Sequence, residues 1–118
     1  MAKRSKKSTR WTDKLDPKAV DEALEDATVD CHDEEERHTG LLSVIEDEVE
    51  FPFPALVMGE KVSVVGFEWP EDDSFGLDFM CEHDGKRHRV EARSVDLIEP
   101  FPKGHLYIAA YLQWKRTL

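Results

Sequence analysis

The run Ile45-Glu46-Asp47-Glu48-Val49-Glu50-Phe51-Pro52-Phe53-Pro54-Ala55-Leu56-Val57-Met58 is where this chain changes its period. Before it, apolar side chains recur every three to four residues, the spacing of one helix face; after it they gather into short strand-like runs. Pro52 and Pro54 force the change, because proline has no N–H to donate and pushes the residue before it into extended backbone. A helical half followed by a strand half defines an α+β chain.

Upstream of the junction, Leu41, Leu42, Ile45 and Val49 form the inward stripe of a helix expected over residues 32–49, with Glu34 to Glu36 enriching its first turn. Gly40 is the weak point, costing about 1 kcal/mol relative to alanine in a helix interior. Either the helix bends there or something packs closely against it. Asp16-Pro17 supplies a cap and first-turn pair for an earlier helix over about 17–28, in which Ala19, Val20, Ala23 and Leu24 keep helical spacing. Residues 1–13, rich in Lys, Arg and Ser, read as a disordered basic tail.

Downstream, strands are expected over 55–58, 61–67, 77–83, 87–92 and 94–98, with Gly59-Glu60 and Asp84-Gly85-Lys86 as turns and Trp69 to Gly76 as a polar loop. Five short strands joined by tight turns match a small antiparallel SH3-like barrel, since closure removes exposed edges. Pro100 and Pro102 then break the chain before a closing helix over 105–115. The expected fold is therefore N-terminal helices packed on that barrel, a single domain over 14–118, and a closing C-terminal helix.

Charge narrows the function. The 118 residues carry a net charge of −10, distributed unevenly. Residues 1–11 have five basic and no acidic side chains, whereas residues 12–50 have 15 acidic and three basic ones. Such a stretch repels nucleic acid and anionic lipid and attracts metal cations or basic protein surfaces. The most apolar late window, Leu106 to Trp114, is about half the roughly 20 residues a membrane span needs. Met1 to Arg10 lacks the apolar core of a secretory signal. Cys31 and Cys81 have no metal-site spacing and read as free thiols, so a cytoplasmic protein is expected.

Carboxylates sit at both ends of the acidic helix. Asp33, Glu34, Glu35 and Glu36 lie at the start, where the helix dipole favours them without any ligand. Glu46, Asp47, Glu48 and Glu50 crowd the other end, where each such charge typically costs about 0.3–1 kcal/mol that a bound cation would remove. Calcium suits such a site, since it accepts six to eight hard oxygens in flexible geometry; a merely solvated acidic face explains these residues equally well. Glu71, Asp72 and Asp73 form a second cluster in the polar loop, able to complete a site if that loop folds against the helix end. It is not an EF-hand, because Phe75 stands at a ligand position and the flanks read as strands. Cys81, His83 and His88 lack a fourth zinc ligand, and no nucleophile, base and orienting group come together as an enzyme would require.

The series Asp33-Glu34-Glu35-Glu36-Arg37, Gly40, Ile45-Glu46-Asp47 and Phe51-Pro52-Phe53 resembles the CcbP-type calcium-binding proteins of bacteria. Gly59-Glu60, Val64-Val65-Gly66, Pro70-Glu71-Asp72 and a closing Ile108-Ala109 with Trp114 are similar in order and kind, so the likeness spans about residues 29–114. The chain departs from it at Leu41 to Ile45, where the family has an aromatic-rich patch. The resemblance implies a calcium buffer or sensor, not an enzyme, binding Ca2+ through a negative surface. By position it favours Glu46, Asp47 and Glu50 as ligands, then Glu71, Asp72 and Asp73, then Asp33 to Glu36. The alternative is an acidic interaction module that docks a basic protein partner without metal.

Overall fold

Asp16 and Pro17 start the first helix as their types require. In the computed structural model, which describes residues 10–71 and 74–118, the Asp16 carboxylate accepts from the Lys18 backbone N–H at 3.0 Å, and α1 runs Pro17–Ala27. The second helix, α2, covers Glu34–Glu48, and its expected stripe of Leu41, Leu42, Ile45 and Val49 is buried. Gly40 is explained by close approach: a Cβ there would meet the Ala27 carbonyl oxygen at 2.7 Å and the Cys31 sulfur at 3.3 Å. Missing volume at Gly40 lets the end of α1 lie against the middle of α2.

The strands are β1 (Phe53–Val57), β2 (Glu60–Glu68), β3 (Asp78–His83), β4 (Lys86–Glu91) and β5 (Asp96–Leu97), all antiparallel to their neighbours, and α3 spans His105–Arg116. Their order across the sheet is β4-β3-β2-β1-β5. This corrects the expected SH3-like barrel: β4 and β5 lie at opposite edges and do not pair, so the sheet is open. Barrel closure is unnecessary because helices, not a curled sheet, cover the apolar face. Phe53, Ala55, Val62, Val64, Phe79, Cys81 and Leu97 face inward and share one core with α2 and α3, while the cross-strand row Pro54, Ser63, Glu82, Arg87 lies on the other face.

One irregularity matters for function. Val64 pairs with Cys81 but Gly66 pairs with Met80, so Val65 is an extra residue, a β-bulge. An inserted residue inverts the facing of everything beyond it. Phe67 therefore pairs with Phe79 on the helix side, and its ring packs 6.4 Å from Phe51 and 6.2 Å from Trp69.

The N-terminal boundary also differs from the expected one. Residues 1–9 of the expected tail lie outside the described residues, but Trp11–Lys14 form a 3-10 turn and Trp11 is buried, its ring edge-on to Phe101 at 5.6 Å. Among the described residues no helix is long and apolar enough to cross a membrane.

Candidate functional site

The β2–β3 loop is tied down on α2 at both ends. At the far end the tie is His38, the buried polar side chain of the core, 6% exposed. His38 belongs to the same helical stripe as Leu41, Leu42 and Ile45, so its ring points inward, stacked on Trp114 with centroids 5.9 Å apart. Its Nε2 lies 2.9 Å from the Gly76 carbonyl oxygen. A carbonyl can only accept, so Nε2 carries the proton. The neighbouring Phe75 carbonyl accepts from the Tyr111 hydroxyl at 2.9 Å, and the Phe75 ring packs against both His38 and Trp114.

At the near end the bulge has turned Trp69 toward the helices. Its indole N–H donates to Glu46 Oε2 at 3.4 Å. Between the two ties, Trp69, Pro70, Ser74 and Phe75 line a shallow cleft with Glu35, His38 and Thr39. Glu35, Thr39 and Glu46 are four and seven residues apart, hence on one helix face, and the loop lies along it. Glu71 is exposed in this loop; Asp72 and Asp73, also expected as ligands, lie outside the described residues.

At the C-terminal end of α2, Glu46, Asp47 and Glu48 are exposed in the last turn, with no basic residue among them. A partial offset comes from the chain itself. Gly104, the residue before α3, packs so tightly on this end that a Cβ would stand 2.6 Å from the Glu48 carbonyl oxygen, and the Glu50 N–H donates to the Lys103 carbonyl at 3.2 Å. The positive end of α3 is thereby set against the negative end of α2. Glu50 itself is exposed just beyond the helix.

Asp33 and Glu36 have other work. Asp33 is the N-cap of α2 and accepts from the Glu36 N–H at 2.8 Å, while Glu36 Oε1 accepts from the His32 N–H at 2.7 Å. Glu36 and Glu46 are also separated by about 15 Å of helix, too far to share one ion whose ligands lie within about 2.6 Å of it. The expected residues therefore divide into a capping pair and a group at the helix end and loop. Among the described residues no three His, Cys, Asp or Glu side chains form a ready-made metal cluster.

The cysteines are free, Cys31 half-buried and Cys81 buried. Burial pushes the Cys81 thiol above its ordinary range; for Cys31 burial acts first and the nearby Glu36 carboxylate second. Cys81 lies in the core, whereas His88, its cross-strand neighbour, is exposed.

Sequence reasoning missed His38. The signal was available: an ionisable residue standing on an otherwise apolar stripe, three residues before Leu41 and seven before Ile45, must find a buried partner.

An open five-stranded antiparallel sheet with three helices is a fold this chain shares with two solved structures. One is the crystal structure of CcbP from Anabaena, with a TM-score of 0.67, 21% identity, and coverage of 86% of this chain and 92% of the other. The second is described as a calcium-binding protein in the calcium-binding form, with a TM-score of 0.63, 20% identity, and coverage of 85% and 91%. No protein-family model and no curated protein sequence matches the chain. At these identities the likeness establishes the fold.

Proposed function

We propose that this protein binds calcium, in a buffering or sensing role without catalysis, through carboxylates of the α2 C-terminal turn and the β2–β3 loop. The observation that carries the reading is the hydrogen bond from the Trp69 indole to Glu46, which attaches the start of the loop that carries Glu71 to the face of α2 that carries Glu46. The donor set fits the ion: Glu46, Asp47, Glu50 and Glu71 offer hard oxygens, with Asp72 and Asp73 beside them in sequence. Three of these charges sit where the helix dipole opposes them, so a bound cation relieves a cost already present in the metal-free protein. The shared fold with two calcium-binding proteins supports the same ion. Asp33 and Glu36, committed to capping, have at most an indirect part. Free thiols and an acidic surface suit a cytoplasmic setting.

Calorimetric titration of the metal-stripped protein with calcium, repeated in excess magnesium, tests the reading. Saturable binding in the micromolar range that survives magnesium is expected. Weak heat abolished by moderate salt would instead mark α2 as a surface for a basic partner.

A further inference from the structure

We propose that the cleft between the C-terminal end of α3, the 3-10 turn at Trp11–Lys14 and the corner after β4 is an anion site for a phosphate-bearing small molecule. It is a cavity of about 520 Å³ whose lining includes Arg10, Arg93, Lys115 and Arg116 with the Glu91 carboxylate among them, and Tyr111 and Leu112. The volume falls in the range of about 300–1,000 Å³ usual for small-molecule sites.

Four cations around one cavity run against the chain's net charge of −10, and like charges gathered together repel unless anions stand between them. Two of the four are answered internally. Arg10 Nε donates to Asp96 Oδ1 at 3.0 Å while its terminal nitrogen donates to the Arg93 backbone carbonyl, and Arg93 Nε donates to Glu91 Oε1 at 3.1 Å. These contacts fix Arg10 against the Arg93 backbone, so part of the ordering cost of an anion site is met before any ligand arrives. Lys115 and Arg116 form no ion pair among the described residues; they stand in the last turn of α3, where the negative end of the helix dipole answers part of their charge. A phosphate, with up to two charges and three outward oxygens, matches guanidinium forks and an ammonium point charge together. The Tyr111 hydroxyl is already engaged by the Phe75 carbonyl, so its ring and Leu112 offer apolar surface suited to an organic group on the phosphate.

The test is a calorimetric titration of the whole protein, in metal-free buffer without phosphate, with inorganic phosphate and separately with adenosine monophosphate. One saturable site is expected. Tighter binding of the nucleotide means that this apolar surface receives the organic part; equal binding means that the phosphate group alone is recognised, and both support an anion site. Lys115→Gln with Arg116→Gln, both exposed, is expected to weaken binding about tenfold, the scale of a lost charge-assisted contact. Lys86→Gln with Arg87→Gln removes the same formal charge about 17 Å along β4 and is expected to leave affinity within about twofold. Absence of saturable binding by either ligand overturns the proposal, and so does an equal loss in both variants, which would mean general charge screening.

Discussion

The imidazole Nε2 of His38 lies 2.9 Å from the carbonyl oxygen of Gly76, 38 residues further along the chain. That single contact decides where the β2–β3 loop ends on α2, and the stacking of the same ring on Trp114 makes α3 its support. Helix, loop and closing helix are thus joined at one side chain.

Replacing His38 by alanine removes a buried hydrogen bond and leaves a cavity under Phe75 and Trp114. Chemical denaturation is expected to show a loss of about 2–4 kcal/mol, with faster hydrogen exchange at residues 74–77. A loss under about 0.5 kcal/mol would mean that the loop is held by other contacts.

Glu46→Gln with Asp47→Asn removes two charges from the negative end of α2 while keeping similar shapes. The metal-free protein is expected to become more stable by a few tenths to about 1 kcal/mol in total, since these groups are solvent-screened. Calcium affinity is expected to fall by tenfold or more in calorimetry. Unchanged affinity would remove both residues from the site.

Gly104 has φ of 86° and no room for a Cβ against the backbone of Glu48 and Val49. Gly104→Ala adds left-handed strain of about 1–2 kcal/mol to a backbone clash. Its denaturation midpoint is expected to drop by at least the equivalent of about 2 kcal/mol, and the α2 C-terminus to lose hydrogen-exchange protection. A neutral result would show that the two helix ends are not in close contact.

Two tyrosines contribute to the loss of stability at alkaline pH. Burial, then the Glu91 and Asp78 charges, raise the Tyr111 hydroxyl well above its ordinary value; for Tyr107 the hydrogen bond to Asp26 comes first and burial second. The unfolded chain releases these protons near pH 10 while the folded protein holds them. Their contribution is complete below that pH and declines as pH rises, by up to about 1.4 kcal/mol per pH unit for one proton. Denaturation midpoints between pH 10 and 11.5 are expected to fall less steeply in Tyr111→Phe than in the parent. Identical slopes would mean that Tyr111 ionises normally.

What the sequence revealed depended on how local each signal was. Both early helices and the prolines that end α2 were legible, because caps, stripes and breakers act within a few residues: α2 was expected over 32–49 and runs Glu34–Glu48. The open sheet was not legible. Whether β5 joins β1 or β4 is settled by long-range packing, and the same short strands suit a barrel or a helix-covered sheet. The bulge at Val65, which turns Phe67 and Trp69 toward the helices, had only Gly66 as its local mark, a glycine inside a β-branched run, and that run reads as one regular strand. Trp11 falls within a stretch whose Lys, Arg and Ser content reads as a tail, and its burial against Phe101 depends on a residue 90 positions away. The carboxylates proposed as ligands are named from charge alone, whereas the contact from Trp69 to Glu46 depends on long-range packing that charge does not report.

The most direct measurement of the central claim is the Trp69 indole N–H resonance of uniformly 15N-labelled protein during a calcium titration in excess magnesium. Its bond to Glu46 sets it beside one of the proposed ligands, two residues before Glu71. The account predicts a saturable shift of this resonance, together with amides of residues 46–50 and 70–76, at one equivalent or a few of calcium. A Trp69 signal that stays in place at saturating calcium, or shifts only in proportion to ionic strength, would contradict it.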